Sequence, residues 1–280
     1  MQYAIVGEQR LEPFRGGRGK CPICGSVMIA KCGPRILHHW SHFGRRNCDA
    51  WWESETIWHR DWKSQFPANW AEVRHQAPDG EIHRADIKTP KGIVVEIQHS
   101  PMSDAERISR EQFYKNMVWV IDGRDFKRNF DIYHMLPSPN SKLADDIVWI
   151  KASRPMQGAA RGIFFKLTEA LEYTPEANKK TLNSGIMHFF NEIERDIKLE
   201  FRGHHQYDWV RPRRTWLDSS CPVFIDFGWD CLVKLSLYDE YALPCIVLVS
   251  KFQFIHDTMT VSHASEICGV LDDLWTIGRH

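Results

Sequence analysis

The sequence predicts an α/β core that follows a small Cys/His-rich module and precedes an α+β region. A run with strand periodicity, Ile93–Gln98, is followed by a helix-start signal at Ser103 and a second apolar run, Met117–Ile121. Cysteine and histidine residues are concentrated before this pattern, between Cys21 and Cys48. The later part of the chain mixes strand-like and helix-like segments. The sequence divides accordingly into residues 1–50, 51–150 and 151–280.

The N-terminal segment carries a Cys-x2-Cys pair, Cys21 and Cys24. Two cysteines at this spacing on a tight turn can hold one side of a tetrahedral zinc ion. A His/Cys pair about twenty residues later can complete the site and makes the signal fairly specific. We prefer His42 and Cys48 as the remaining ligands, with His39 as the competitor of His42. The segment is therefore predicted to bind a structural zinc ion.

Two alternatives to zinc exist for these thiols, a redox dithiol and unrelated buried cysteines. A redox pair should lie between a strand and a helix, whereas Cys21 follows a Gly-rich stretch, Arg15–Lys20. Cys32 and His38 are less favoured as ligands. Eight cysteines in 280 residues without a secretion signal favour reduced thiols and metal over disulfides.

A β-hairpin is predicted around the turn Thr89–Gly92. The run Ile93–Gln98 alternates with a period of two, as a strand does. Side chains two positions apart on a strand share a face, so Glu96 and Gln98 point the same way. The turn folds the preceding strand, which carries Asp86, back beside them.

Two carboxylates that meet on one strand pair can hold a hard divalent ion, which prefers oxygen ligands. Such an ion can activate water and stabilise charge on a phosphate. Asp86 and Glu96 are therefore candidate ligands of Mg²⁺, or of Mn²⁺ in vitro. The alternative is an edge hairpin whose polar residues face solvent.

A helix is predicted immediately before the hairpin, over Glu55–Lys63. Glu55, His59 and Lys63 are spaced four residues apart, so a helix places them on one face. By composition alone this row is an ordinary exposed face. Its position beside an acidic hairpin makes it a candidate part of the site.

A second helix is predicted after the hairpin, because Ser103 and Glu106 have the spacing of a capping box. Arg107, Arg110 and Tyr114 then lie on one face of it. The strands before and after this helix should form a right-handed, parallel pair.

The order of these motifs resembles that of the competence protein CoiA family. The resemblance covers about residues 1–125 and rests on motifs that agree in order and spacing. In this chain they are Cys21-Pro-Ile-Cys24-Gly25, His39-Trp-Ser-His42, Cys48-Asp49, Glu55-x3-His59-x3-Lys63, Ala85-Asp86-Ile87, Val95-Glu96-Ile97-Gln98-x-Ser100 and Arg110-x3-Tyr114. The chain departs from the family at Trp40-Ser41, where Phe-Ala is usual, and matches nothing recognisable after about residue 150.

The resemblance implies a PD-(D/E)XK nuclease-like core with an N-terminal zinc-binding module and a C-terminal α+β accessory region. It also implies Mg²⁺-dependent activity on DNA. The acidic positions of the family map to Asp86 and Glu96, the position usually held by lysine maps to Gln98, and the first-helix glutamate maps to Glu55. Glu55 would bind the metal through water or hold a second ion. The main-chain carbonyl of Ile97 would add a ligand.

The remaining matches to family positions are His59, Lys63, Ser100, Arg110 and Tyr114. Gln98 would orient the attacking water or touch the scissile phosphate. Because glutamine carries no charge, Lys63 or Arg110 would supply the positive charge that a lysine gives. The expected reaction is phosphodiester hydrolysis, in DNA processing or in defence against foreign DNA. The alternatives are a catalytically weak, zinc-containing DNA-binding module and a protein-interaction subunit.

The composition is compatible with a DNA-binding enzyme but does not require one. Lys+Arg and Asp+Glu both number 36, so affinity for DNA needs local basic patches. The candidates are Arg10 with Arg15, Arg18 and Lys20, then Arg45–Arg46, then Arg211–Arg214. No apolar run approaches a membrane span and no signal peptide is evident, so we expect a cytoplasmic protein. Residues 151–280 are expected to bind DNA, a protein partner or a second copy.

Overall fold

The computed structural model describes residues 1–44, 48–49, 51, 54–77, 80–239 and 242–267. These residues form two compact units. The first comprises Met1–Val120 and Thr258–Glu266, and the second comprises Ile121–Asp257 with Ile267. The division of the sequence into three segments stays a prediction.

The first unit begins with an antiparallel sheet of short strands. The strands, which follow the order β2-β1-β3-β4-β5 across the sheet, are β1 (Ala4–Val6), β2 (Gln9–Leu11), β3 (Arg18–Lys20), β4 (Val27–Lys31) and β5 (His39–His42). Their core is small and consists of the buried residues Met1, Ala4, Cys21, Met28 and Trp40. A core of this size gives little stability by itself, and such modules commonly depend on a metal.

The rest of the first unit surrounds the predicted hairpin. Its elements are α1 (Ile57–Ser64), a 3-10 turn (Ala68–Trp70), β6 (Ala71–Gln76), β7 (Ile82–Lys88), β8 (Val94–Gln98), α2 (Asp104–Tyr114) and β9 (Met117–Asp122). The strands are neighbours in the order β6-β7-β8-β9. Helix α2 connects β8 to its neighbour β9, which is the crossover that the sequence predicts.

Local signals in the sequence correctly locate the turn and the cap of α2. Gly92 N donates to Thr89 O at 2.9 Å, and its φ of +87° favours glycine. Glu106 N donates to Ser103 Oγ at 3.2 Å, which confirms the predicted N-cap.

Helix α1 starts later than the spacing of its charged residues predicts. The Thr56 hydroxyl accepts a hydrogen bond from His59 N at 3.2 Å and caps the helix. Glu55 therefore precedes the helix instead of forming its first turn.

The second unit is built on antiparallel strands. Five of them are neighbours in the order β10-β14-β17-β16-β15 within a larger sheet, and three form a separate small sheet in the order β11-β12-β13. The strands are β10 (Phe130–Pro137), β11 (Ile147–Trp149), β12 (Ile163–Lys166), β13 (His188–Phe189), β14 (Phe201–Trp209), β15 (Val223–Asp226), β16 (Cys231–Leu237) and β17 (Pro244–Ser250).

Short helices connect these strands. They are α3 (Lys142–Asp146), α4 (Leu167–Tyr173), α5 (Phe190–Glu200) and α6 (Arg214–Leu217), with 3-10 helices at Arg124–Asn129 and Gly158–Gly162. The chain continues through α7 (Lys251–Thr260) and a 3-10 turn, Ala264–Glu266.

Helix α5 begins later than the helical spacing of apolar residues, which extends over residues 185–197. Phe189 pairs with Ile163 in the small sheet, so the helix begins only at Phe190. The Glu192 carboxylate accepts a hydrogen bond from Phe189 N at 3.0 Å and closes the first turn.

The protein is a mixed α/β protein, as predicted at this coarse level. Across the described ranges, no helix combines the length and the apolar character needed to cross a lipid bilayer.

Candidate functional site

Four predicted ligands converge beside the N-terminal sheet. The ligand atoms of Cys21, Cys24, His42 and Cys48 all lie within 4.8 Å of one another. Cys21 Sγ is 3.7 Å from Cys48 Sγ, and Cys24 Sγ is 3.4 Å from His42 Nε2. Tetrahedral zinc bonds imply ligand separations of about 3.8 Å between two sulfurs and about 3.6 Å between sulfur and nitrogen. The cluster can therefore bind zinc.

The turn between β3 and β4 positions the first two ligands. Cys21 N donates to Ser26 O at 2.8 Å, and Gly25 N donates to Cys21 O at 2.9 Å. Gly25 has a φ of +71°, which other residues adopt at a cost. Ile23 N also donates to Cys21 Sγ at 3.4 Å, which helps to fix the position of this sulfur.

Strand β5 distinguishes the two histidines that compete for the zinc site. His39 and His42 are three positions apart, so their side chains leave the strand on opposite faces. His39 Nδ1 lies 2.9 Å from Leu37 O and is outside the cluster. The structure thus places His42 with the cysteines.

The thiols of the cluster differ in acidity. Burial acts to raise the pKa of Cys24, but hydrogen bonds involving Ser26, His42 and Cys21 lower it to about 6. Burial and the neighbouring Cys21 raise the pKa of Cys48 to about 12. Several negatively charged thiolates at these distances repel one another unless a cation offsets their charge. A bound zinc ion would supply that positive charge.

Asp49 connects the cysteine cluster to the hairpin. It directly follows Cys48, and its Oδ1 is 2.9 Å from His83 Nδ1 on β7. Its Oδ2 accepts a hydrogen bond from Arg84 N at 2.9 Å. In the sequence, the only indication of this role is that Asp49 follows a cysteine in the Cys-Asp motif. A change in the cluster can therefore be transmitted to the strand that carries Asp86.

Asp86 and Glu96 meet across β7 and β8. The ladder pairs Ile87 with Val95, and that register sets Asp86 opposite Glu96. Past the last main-chain pair of the two strands, each carboxylate accepts a hydrogen bond from the backbone of the other strand. Asp86 N donates to Glu96 Oε1 at 3.2 Å, and Ile97 N donates to Asp86 Oδ2 at 3.0 Å. The two acids thus lie side by side in a buried strand pair.

Each of these carboxylates has a cationic or ionisable partner. His59 Nε2 is 3.0 Å from Asp86 Oδ2, and Arg110 Nη1 is 3.0 Å from Glu96 Oε2. Burial acts to raise the pKa of Asp86, but His59 and Lys63 lower it strongly. Burial and the charge of Asp86 raise the pKa of Glu96 against the opposing effect of Arg110. The pair therefore favours one ionised and one protonated acid.

Glu55 and Lys63 belong to a neighbouring ion network. Lys63 Nζ contacts Glu55 Oε1 and lies 3.2 Å from Glu72 Oε1. Arg60 Nε is 3.0 Å from Glu55 Oε2. The structure thus holds Glu55 and Lys63 with each other, whereas the sequence predicts that Glu55 binds the metal and that Lys63 or Arg110 supplies positive charge.

Glu72 is a central residue that sequence reasoning missed. Its side chain is fully buried and accepts hydrogen bonds from Gln2 N at 2.9 Å and Tyr3 N at 3.1 Å. Lys63 and Arg84 oppose the effect of burial and keep its pKa well below the usual range. Its φ of +52° is uncommon outside glycine and shows how strongly its surroundings fix it.

Gln98 lies on β8 two residues beyond Glu96, as predicted. Its Nε2 donates to Ser100 O at 3.1 Å and to Ser100 Oγ at 3.0 Å, which fixes the amide. Tyr114 is buried on α2 among aromatic rings, 5.3 Å from the ring of His75. Its hydroxyl has no hydrogen-bond partner among the described residues.

The predicted basic patches differ in how many of their side chains are exposed and could contact DNA. Arg10 donates to Ala68 O at 2.8 Å and stacks on Tyr3, so it serves packing within the unit. Arg213 stacks on Phe126 at 4.7 Å. Other members are exposed, namely Arg15, Arg18, Lys20, Arg211 and Arg214. Arg45 and Arg46 lie outside the described residues.

Comparison of the chain with models of known protein families, with curated proteins and with solved structures gave no match.

Proposed function

We propose that the chain is a divalent-metal-dependent deoxyribonuclease with a PD-(D/E)XK-like core. The pairing of Asp86 with Glu96 supports this most strongly. Burial of two adjacent carboxylates is energetically costly, and such pairs occur mainly at functional sites. The reaction is phosphodiester hydrolysis by in-line attack of water. The setting is DNA processing or defence against foreign DNA.

Asp86 and Glu96 would hold Mg²⁺, or Mn²⁺ in vitro, with the carbonyl of Ile97 as a further ligand. The bound ion lowers the pKa of water and stabilises charge on a phosphate. Gln98 is fixed by Ser100 and donates hydrogen bonds. Its amide orients the attacking water or contacts the scissile phosphate.

Arg110 is the residue that replaces the charge of the usual lysine. Its guanidinium already lies 3.0 Å from Glu96, whereas Lys63 is held by Glu55 and Glu72. If a metal ion occupied Glu96, Arg110 Nη1 would lose its carboxylate partner and could bind a phosphate. Lys63 then serves to position the helix and strands of the site.

The zinc module has a structural role in this proposal. Its ligand Cys48 precedes Asp49, which holds β7 through His83 and Arg84. A bound zinc ion would therefore fix the strand that carries Asp86. The second unit is an accessory region that contacts DNA, a protein partner or a second copy of the chain.

The test is cleavage of labelled single-stranded and double-stranded DNAs with blunt, recessed and closed ends. Protein is incubated with Mg²⁺, with Mn²⁺ and in metal-free buffer. We expect cleavage only with metal, and none from Asp86→Ala. Asp61→Ala is the matched control, because Asp61 is an exposed carboxylate on α1. Equal cleavage by wild type and Asp86→Ala would refute the assignment.

A second candidate function is binding of DNA without efficient cleavage. It is favoured by the ion pairs of both carboxylates, since His59 and Arg110 already compensate Asp86 and Glu96. In that case the same DNAs are bound but remain intact with either metal. A third outcome, recovery of a protein partner that survives nuclease treatment of the sample, would indicate an interaction subunit.

A further inference from the structure

The second unit contains a cavity of about 450 Å³, which is within the size range of small-molecule sites. It is lined by β10, by the 3-10 helix Gly158–Gly162 and by the first two residues of α5, Phe190 and Asn191. The proposed nuclease residues all lie in the first unit. The cavity is therefore a separate candidate site.

Aromatic side chains form much of its wall. The ring of His134 lies 5.2 Å from that of Phe190 and 4.8 Å from that of Trp149. Gly162 permits this packing, because a Cβ at that position would lie 2.5 Å from the Phe190 Cβ. Flat walls of this kind suit a flat ligand, which gains stacking energy against ring faces.

Polar atoms in this wall lack protein partners. The hydroxyl of Tyr133 and both ring nitrogens of His134 are buried and make no hydrogen bond to any described residue. Buried polar groups in native proteins are nearly always satisfied, so three orphaned atoms on two residues of one cavity lining mark this wall as unusual. Burial lowers the pKa of His134 to about 4, so its neutral ring offers one donor and one acceptor.

The cavity also carries positive charge. Arg161 stacks its guanidinium 4.9 Å from the ring of Tyr133, and its Nε donates to Met156 O at 2.7 Å. Its terminal nitrogens have no partner in the described chain, and none of the lining residues is acidic. The ligand should therefore be anionic.

We propose that this cavity binds a nucleotide, with the base against the aromatic wall and the phosphate at Arg161. A heterocyclic base presents donors and acceptors that the side-chain amide of Asn191, in the cavity lining, can satisfy. The phosphate suits the fork of a guanidinium. The source of the nucleotide is either a free mononucleotide or one residue of a nucleic-acid strand.

Titration of the full-length protein with each of the four deoxynucleoside monophosphates tests this inference. Isothermal calorimetry in metal-free buffer measures the binding, and ribose 5-phosphate serves as the probe without a base. We expect at least one nucleotide to bind, and ribose 5-phosphate to bind about tenfold or more weakly, because it lacks the stacked base. No binding by any nucleotide, or equal binding of ribose 5-phosphate, would overturn the proposal.

Variants locate the binding. Arg161→Gln should weaken it about tenfold or more, and Asn191→Ala, which removes the side-chain amide from the lining, should weaken it by a smaller factor. Arg195→Gln is the matched control, because Arg195 is exposed on α5 and outside the cavity. Melting temperatures confirm that each variant folds. Unchanged affinity in both cavity variants would contradict the site.

A short 5′-phosphorylated oligonucleotide distinguishes the two sources. If it binds more tightly than the mononucleotides and is weakened by Arg161→Gln, the cavity holds one residue of a strand. If the mononucleotides bind more tightly, the cavity holds a free nucleotide. Cleavage by the first unit does not enter this test, so its result is independent of the proposed nuclease activity.

Discussion

The first unit contains two clusters of potential metal ligands that are built differently. In the cysteine cluster, the ligand atoms contact one another at the separations of a tetrahedral site, as in the 3.7 Å between Cys21 and Cys48. In the carboxylate pair, each acid contacts a protein nitrogen, His59 for Asp86 and Arg110 for Glu96.

The cysteine cluster therefore needs an ion to hold its ligands together, whereas each acid of the carboxylate pair already has a partner from the protein. Thiols this close become a stable thiolate set only when a cation binds, so folding of the module should depend on zinc. Each carboxylate already has a protein partner in the fold, because His59 Nε2 and Arg110 Nη1 each lie 3.0 Å from one of them. A divalent ion bound by this pair, as proposed, would have to compete with those partners.

The largest expected effect follows loss of a zinc ligand. Purified wild-type protein should contain about one zinc per chain, and Cys21→Ser should lower the melting temperature by about 10 °C or more, because the small core around it needs the metal. Elemental analysis and thermal melting measure these quantities. Cys32→Ser is the control, since Cys32 lies outside the cluster. Protein that lacks zinc and has an unchanged melting temperature would contradict the claim that the cysteine cluster depends on a metal.

Loss of Lys63 should cost stability more than it alters chemistry. Lys63→Ala leaves Glu55 and Glu72 buried without their shared cation, and removal of one member of a buried ion pair costs about 3–5 kcal/mol of unfolding free energy. Denaturant unfolding measures the loss. Lys198→Ala, which breaks the exposed pair with Glu194, should cost about 0.5 kcal/mol or less. Equal costs for the two variants would show that the network does not stabilise the fold.

The link between the two clusters predicts a smaller effect. Asp49→Ala leaves Arg84 N and His83 without their acceptor and should cost about 1–3 kcal/mol. Zinc content should stay the same, while the proposed DNA cleavage should become slower because β7 is less well held. A variant with full stability and full activity would mean that the clusters are independent.

Substitutions of Gln98 make the smallest change to the carboxylate site among these predictions. Gln98→Lys keeps a donor at this position and restores the usual charge, so DNA cleavage should stay within about tenfold of wild type. Gln98→Glu instead adds a third acid beside Glu96 and should reduce the cleavage rate about a hundredfold or more. Initial rates on one DNA measure both variants. A silent Gln98→Glu would place Gln98 outside the chemistry.

Local contacts explain what the sequence could predict. The cap at Ser103 and the turn at Thr89–Gly92 are made within three residues of chain. Residue types with known ligand preferences were enough to select Cys21 and its partners. Strand periodicity was enough to place Glu96 and Gln98 on one strand.

The missed features depend on contacts between distant parts of the chain. Glu72 lies in an ordinary strand pattern, and its importance appears only when Gln2, Tyr3 and Lys63 surround it. The partners of Glu55 depend on where α1 begins, and the cap at Thr56 decides that. Neither the final rotamers nor the ion pairs can be read from spacing alone.

Binding of Mn²⁺ to the carboxylate pair tests the central claim most directly. Electron paramagnetic resonance counts bound Mn²⁺ in zinc-loaded wild type, in Asp86→Ala and in the Asp61→Ala control. We predict about one Mn²⁺ per chain in wild type and the control and none in Asp86→Ala, with zinc content equal in all three. Mn²⁺ binding that is absent from wild type, or unchanged in Asp86→Ala, would contradict a catalytic metal at Asp86 and Glu96.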